Sequence, residues 1–315
     1  MSLKNRLLIF ANDAASASIT LAYAYLYKEQ YTEVLVFPYD DVARNIYKEY
    51  IPSLICEKEV VFKHTDTIVT GTSGIDPSYE MNTIVNAKKA RVSKIIVLVD
   101  NTVHFNMRFI YKNKTIPEKY LPNEIWVFQK GFTCNIKYLN KKIIYTDDIY
   151  TQFLNKAFNT LNPNITHPFI EKNKNNYLVI LTEYIYDFYR LEYGFNEYDM
   201  LQYILEEIDK SNLNIPIFLK LHPKEYSKKF NILLRKYSHL NIIKDSCNIQ
   251  ELIYYAKIVF GINSSVFKEC KLFKKPTYSI QINSKKKISP TYLDLESIVS
   301  SKKKLSFVIK KYFTL

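Results

Sequence analysis

Glycine is scarce in this chain: five residues in 315, two of them inside the stretch Gly71–Gly74. No Gly-Lys-Ser/Thr follows "GTSG", which excludes a Walker loop, and no Gly-x-Gly-x-x-Gly occurs, which excludes the dinucleotide fingerprint. Cysteine is equally sparse. Cys56, Cys134, Cys247 and Cys270 are widely separated and form no Cys-x-x-Cys pair. That argues against a disulfide framework or a zinc site and for reduced thiols. No apolar run approaches the roughly 20 residues of a membrane span, and the one in "MSLKNRLLIF" is too short for a secretory leader. The expected location is cytoplasmic.

Acid is short as well: 31 Asp and Glu stand against 44 Lys and Arg, a formal net charge of +13. A basic protein is drawn to nucleic acid, anionic membrane or acidic substrates. Lysine is abundant here together with Asn, Ile and Tyr, the pattern an AT-biased genome produces. The 27 tyrosines could stack on bases, which keeps a basic RNA-binding protein among the alternatives. Yet many fall inside amphipathic helical patterns such as "ELIYYAK", where they pack, and no RNP, KH or zinc-finger pattern is present. Nucleic acid is therefore not the expected partner. Lysine clusters at Lys285–Lys287 and Lys302–Lys304 suit peripheral contact with an anionic bilayer, each lysine contributing about 1 kcal/mol.

What the chain does have is alternation. "RLLIFAN", "EVLVFPY", "DTIVTGTSG", "SKIIVLVDN" and "NEIWVFQ" read as strands. "ASITLAYAYLYKE", "DVARNIYKEYI" and "EMNTIVNAKKA" read as the helices between them. Strands apolar throughout and separated by helices predict a parallel sheet covered on both faces. At 161–176, "LNPNITHPFIEKNKNN" breaks the pattern and reads as a linker. The alternation then restarts with "YLVILTE", "IFLKLHP", "LNIIKD", "IVFGIN" and "PTYSIQI" as strands. The expected fold class is α/β: two doubly wound Rossmann-like domains, 1–160 and 177–315, facing a central cleft.

Candidate site residues lie where these strands end. "KLHP" delivers His222 and Pro223 at a strand's carboxyl end, where open α/β sheets bind ligands and an imidazole can hold a phosphate or donate a proton. In "GINSSVFKECKLFKKP", Gly261 and Asn263 mark a strand-to-helix turn, and Ser264 and Ser265 are expected at the helix start, a ready anion site. Glu269 follows Ser265 by one turn and suits ribose hydroxyls. Glu183 ends its own strand and either touches a nucleotide or caps a turn. In the first domain Asp13, Asp76, Glu80 and Asp100 follow strands. Asp13 also suits a helix cap, and Asp100 could equally cap its own helix. His104 and Arg108 are spaced to share a helical face and bind an acidic acceptor. Gly71, Thr72, Ser73 and Gly74 form either an acceptor or phosphate loop or a tight structural turn.

The ordered set "KLHP", "GINSSVFKE" and "KKPTYSIQI" resembles the nucleotide-binding domain of bacterial GT-B glycosyltransferases with a His-Pro and a Ser-Ser motif. That group includes sialyl- and polysialyltransferases and capsule Kdo transferases; CDP-glycerol polymerases of wall teichoic acid carry a similar pair. The resemblance covers about Tyr177 to Ile282. It implies that His222, Ser264 and Ser265 bind the phosphate of a cytidine nucleotide and that an N-domain carboxylate, Asp13 first, is the base. The acidic-pair-glycine tripeptide frequent in those sialyltransferases is missing. So is a D-x-D motif, so no metal or other cofactor is expected. The resulting expectation is an inverting transferase taking a sialic-acid-like or Kdo-like sugar from a CMP-sugar donor to a glycan or glycolipid acceptor. It would work at the inner face of the cytoplasmic membrane, in bacterial surface polysaccharide synthesis. A CDP-glycerol-type polyol-phosphate transferase and a nucleotide-sugar epimerase or hydrolase on the same fold are the alternatives.

Overall fold

The computed structural model describes residues 5–73, 76–102, 105–158, 163–223, 225–290 and 292–314. The chain divides into two compact units, Met1–Ala157 and Phe158–Leu315.

In the first unit the strands are β1 (Arg6–Ala11), β2 (Glu33–Pro38), β3 (Thr67–Thr70), β4 (Lys94–Leu98), the hairpin pair β5 (Ile110–Tyr111) and β6 (Lys114–Thr115), β7 (Glu124–Val127) and β8 (Ile143–Tyr145). The helices are α1 (Ala14–Tyr27), α2 (Asp41–Tyr50), α3 (Ser78–Lys89), α4 (Lys137–Asn140) and α5 (Ile149–Phe158). Six strands form one parallel sheet in the order β2-β1-β3-β4-β7-β8. From Leu7 to Ala11 every β1 side chain is buried, as a strand covered on both faces requires. The order reverses between β1 and β3. That is the doubly wound switch point, where the carboxyl ends of neighbouring strands leave a crevice.

The second unit repeats the plan with β9 (Leu178–Leu181), β10 (Ile217–Lys220), β11 (Ile242–Lys244), β12 (Ile258–Gly261), β13 (Thr277–Ile280) and β14 (Ile298–Val299). Its helices are α6 (Pro168–Asn173), α7 (Tyr186–Tyr193), α8 (Glu197–Ser211), α9 (Asn231–Lys236), α10 (Ile249–Tyr254), α11 (Phe267–Leu272) and α12 (Lys302–Phe313). The sheet is parallel in the order β11-β10-β9-β12-β13-β14. Counted within the unit this is 3-2-1-4-5-6, with its switch point between β9 and β12. A core of Leu178, Ile180, Leu201, Leu205, Ile217 and Phe260 lies under α8 and α12. Tyr255 of "ELIYYAK" is buried and donates to the Pro163 carbonyl (2.8 Å), and Tyr254 packs edge-on against Phe273. Those rings belong to the interior.

Residues 163–176, read from the sequence as a linker, carry α6 and pack into the second unit. His167 caps α6 by accepting from the Phe169 amide, Pro168 opens it, and Ile170 is fully buried. The Glu251 carboxylate accepts from the Thr166 amide (2.7 Å), the Thr166 hydroxyl (2.7 Å) and the His167 amide (2.9 Å). Polar, proline-containing composition hid a capped helix with one deep anchor. Ile170→Ala should therefore destabilise the protein by about 2–5 kcal/mol, the range for truncating a core aliphatic. Urea unfolding checks this; a cost below about 0.5 kcal/mol, as at an exposed site, would return the segment to a linker.

Candidate active site

In the first unit, the expected residues do gather at the carboxyl ends of β1, β3 and β4. Asp13 accepts from the Ser16 amide (3.0 Å), and the Ser16 hydroxyl accepts from the Asp13 amide (3.1 Å), a closed capping box on α1. Gly71 follows β3 directly, and a Cβ there would stand 2.3 Å from Ser16 Cβ and 2.5 Å from Ser16 Cα. The glycine is therefore set by the first turn of α1 crossing the β3 end. Ser73 accepts from the Asp76 amide (3.2 Å), and Asn12 donates to the Asp76 carbonyl (2.8 Å). Gly74 and His104 lie outside the described residues.

Arg108 was expected on a helical surface and differs. It sits in a short 3-10 turn, Phe105–Phe109, and is 5% exposed. Its guanidinium binds Asp100 (2.6 Å), the Thr72 carbonyl (2.9 Å) and hydroxyl (3.1 Å), and the Asn101 side chain (3.1 Å). Asp100 thus pairs with Arg108, and together they brace the β3 and β4 ends. Beside them, at the ends of β4 and β7, is a cavity of about 250 Å³ lined by Phe105, Asn106, Met107 and Phe132 among others.

Glu80, in the first turn of α3, is fully buried. One carboxylate oxygen accepts from the Asn12 amide (3.2 Å), and the other has no hydrogen-bond partner. Desolvation first, and the neighbouring Asp13 charge after it, push its pKa up to about 7 from 4.5.

The second unit holds the motif residues. His222 and Pro223 follow β10, and Ser264 and Ser265 follow β12, on either side of the central strand β9. The His222 amide donates to Glu225 (2.9 Å) and to the Thr182 hydroxyl (3.2 Å), and its ring lies parallel to that of Tyr184 with centroids 6.4 Å apart. Glu225 also accepts from Thr182. Beneath them, Lys229 is buried and pairs with Glu225 (2.7 Å) and with Glu197. Glu197 in turn accepts from the Ile185 (3.2 Å) and Tyr186 (2.8 Å) amides at the start of α7. Burial alone would lower the Lys229 pKa, but the two carboxylates outweigh it and raise it. Desolvation raises that of Glu197 in spite of the lowering by Lys229.

Glu183 follows β9 and crosses to the β12 loop, accepting from the Ile262 (2.8 Å) and Asn263 (2.6 Å) amides. The residue as a whole is half-buried, but the loop encloses its carboxyl, and desolvation pushes the pKa up to about 7. Gly261 ends β12 with a hypothetical Cβ in tight contact (3.1 Å) with the Phe267 ring.

Two expectations need correction here. Ser264 and Ser265 precede α11 and do not cap it. The helix starts at Phe267 with Val266 at its N-cap, and Ser264 accepts from the Val266 amide (3.3 Å) in a turn outside it. Nor do Ser265 and Glu269 share an accessible face: Ser265 is exposed and Glu269 is 3% exposed. The helix is too short for the spacing argument that paired them. Thr182, Glu197, Glu225 and Lys229 were missed. The Glu225–Lys229 i,i+4 spacing was the one visible signal.

No family model matches this sequence, and no curated protein matches it. Among solved structures, the chain is similar to the Methanocaldococcus jannaschii UDP-GlcNAc 2-epimerase in complex with UDP-GlcNAc and UDP. The match has 11% identity, covers 98% of this chain and 92% of that one, and has a TM-score of 0.62. It is also similar to UDP-N-acetylglucosamine 2-epimerase from Rickettsia bellii, with 10% identity, 99% and 88% coverage and a TM-score of 0.57. With two doubly wound parallel sheets, the fold is GT-B.

Two expectations follow for variants. Lys229→Met leaves Glu197 and Glu225 buried without their cation and should cost about 3–5 kcal/mol, read by urea unfolding; a loss under about 1 kcal/mol would show the pair to be solvated. For Glu80, the folded state holds its proton longer than the unfolded state. Its contribution to stability is full below about 4.5 and is lost as pH rises through about 7. At about 1.4 kcal/mol per pH unit, that interval amounts to on the order of 3 kcal/mol. Glu80→Gln should gain on the wild type by that amount between those limits, and parallel pH profiles of the two proteins would contradict it.

Proposed function

We propose that this chain is an inverting, metal-independent glycosyltransferase moving a sialic-acid-like or Kdo-like sugar from a CMP donor to a bacterial surface glycan or glycolipid. The observation that carries the reading is the placement of His222–Pro223 and Ser264–Ser265 at strand ends flanking β9, beside the switch point of the second sheet. A CMP donor leaves with one phosphate. The serine hydroxyls hold it, and the His222 imidazole, fixed from below through its own amide, supplies a proton or hydrogen bond as charge develops. Asp13 takes the acceptor hydroxyl's proton, the freed oxygen attacks the anomeric carbon, and the bond to phosphate breaks. Among Asp13, Asp76, Glu80 and Asp100, Glu80 is fully buried and Asp100 is paired to Arg108; Asp13, half-buried just after β1, is the proposed base. The acceptor is assigned to the first unit, whose cavity of about 250 Å³ is lined by Phe132 and Asn106 among others. Glu269 is the proposed ribose ligand; its burial requires the α11 end to open on binding.

Peripheral membrane contact is part of the proposal. No helix among the described residues is long and apolar enough to cross a membrane. Lys286 pairs with Glu192, Lys302 with Glu206, and Lys304 donates to two carbonyls. Contact with anionic lipid therefore rests on the exposed Lys285, Lys287 and Lys303.

A second reading, a nucleotide-sugar epimerase, is favoured by the fold likeness to two UDP-N-acetylglucosamine 2-epimerases. A thermal-shift panel of CMP, CDP, UDP, GDP and ADP separates the two, since a ligand binding only the folded state raises its stability. Stabilisation by cytidine nucleotides is expected; a response to UDP alone, with epimerisation of a UDP-sugar, would establish the second reading. Under the first, His222→Ala should slow turnover on the order of 100- to 1,000-fold and weaken CMP binding, whereas Asp13→Ala should slow turnover and leave CMP binding intact.

A further inference from the structure

The crevice of the second unit already holds an anion of the chain's own. In a 3-2-1-4-5-6 sheet, the space between the ends of the first and fourth strands is where a nucleotide's phosphates come to rest. Here those strands are β9 and β12. Glu183 spans the space between them, and one carboxylate oxygen takes both loop amides, those of Ile262 and Asn263. Paired backbone amides of this kind are ordinary phosphate ligands. With Glu183 bound they are occupied, and the occupant carries a negative charge when ionised.

The surroundings reinforce that charge. Glu197 and Glu225 lie close enough to raise the proton affinity of Glu183, and the buried ammonium of Lys229 is shared between those two. Behind Glu183, at the ends of β9 and β10, lie two further carboxylates and one buried cation. A single phosphate held on the Ser264–Ser265 turn would leave the Ile262 and Asn263 amides to Glu183. A second phosphate would have to displace Glu183 from the amides or lie against its charge.

We infer that Glu183 is a specificity-determining residue that makes this unit favour donors leaving with one phosphate over nucleoside diphosphates. The inference rests on the nucleotide-binding role proposed for the second unit. It goes further by assigning the choice of phosphate-chain length to one side chain.

The test compares wild type, E183Q and E183A by calorimetry at about pH 8, above the pKa of about 7 to which burial raises Glu183. The probes are inorganic phosphate, pyrophosphate, CMP, CDP and UDP. Wild type should prefer phosphate to pyrophosphate and CMP to CDP. E183Q keeps the shape without the charge, and E183A also releases the two amides. In either, pyrophosphate and CDP should gain on the order of tenfold relative to phosphate and CMP, the change that 1.4 kcal/mol produces. Unchanged ratios in a folded variant would overturn the inference. So would failure of both variants to fold, since the carboxylate would then serve the fold itself. The cytidine reading is judged separately. If neither CMP nor CDP binds while the pyrophosphate-to-phosphate ratio still responds to E183Q, that reading fails and the role of Glu183 stands; tight binding of UDP to wild type would overturn both.

Discussion

One buried ammonium, that of Lys229, organises the second unit's site. It pairs with Glu225, which accepts from Thr182 after β9 and from the His222 amide after β10. It pairs also with Glu197, which accepts from the two amides that open α7. Two strand ends and the starts of two helices therefore meet at a single cation. Burying such a set is costly, and a well-packed apolar substitute is often as stable. What apolar packing cannot do is accept hydrogen bonds from the amides of His222, Ile185 and Tyr186, which would then be left unsatisfied. The arrangement fixes backbone more than it adds stability, and it fixes the backbone that carries the imidazole.

The first unit reaches a comparable rigidity by another route. Gly71 lets α1 close on the end of β3, the Asp13–Ser16 box starts that helix, and Arg108 joins the ends of β3 and β4 through Thr72 and Asp100. Several residues suited by type to bind an acceptor are thus engaged by the fold. What faces outward at this end is the cavity beside Phe132 and Asn106, which no motif announced.

The central strands were legible because burial on both faces leaves an unbroken apolar run, as in "RLLIFAN", "SKIIVLVDN" and "YLVILTE". The edges were not. Strand β8 is half-buried to exposed and β14 is two residues long, so neither leaves such a run. The motif residues were legible as strand ends, and the structure puts His222, Ser264, Asp13 and Glu183 there. What supports them was mostly hidden, because Glu197, Glu225 and Lys229 converge from points up to 32 residues apart. A charged residue destined for burial looks, in sequence, like any surface charge. Glu269 and Arg108 went astray for that same reason.

The distribution of charge makes the same point on a larger scale. The chain carries +13, yet the carboxylates Glu183, Glu197 and Glu225 cluster under the proposed phosphate site. A surplus spread over the surface acts at long range. It raises the local concentration of any anion and is screened by salt. Carboxylates in a crevice act over a few ångströms in a poorer dielectric, where like charge is repelled strongly. Under the proposed function the two effects would do different work: the first would bring nucleotides of every kind to the protein, and the second would decide which of them can stay. A basic composition and an acidic site are therefore compatible, and discrimination among anions requires the second whatever the strength of the first.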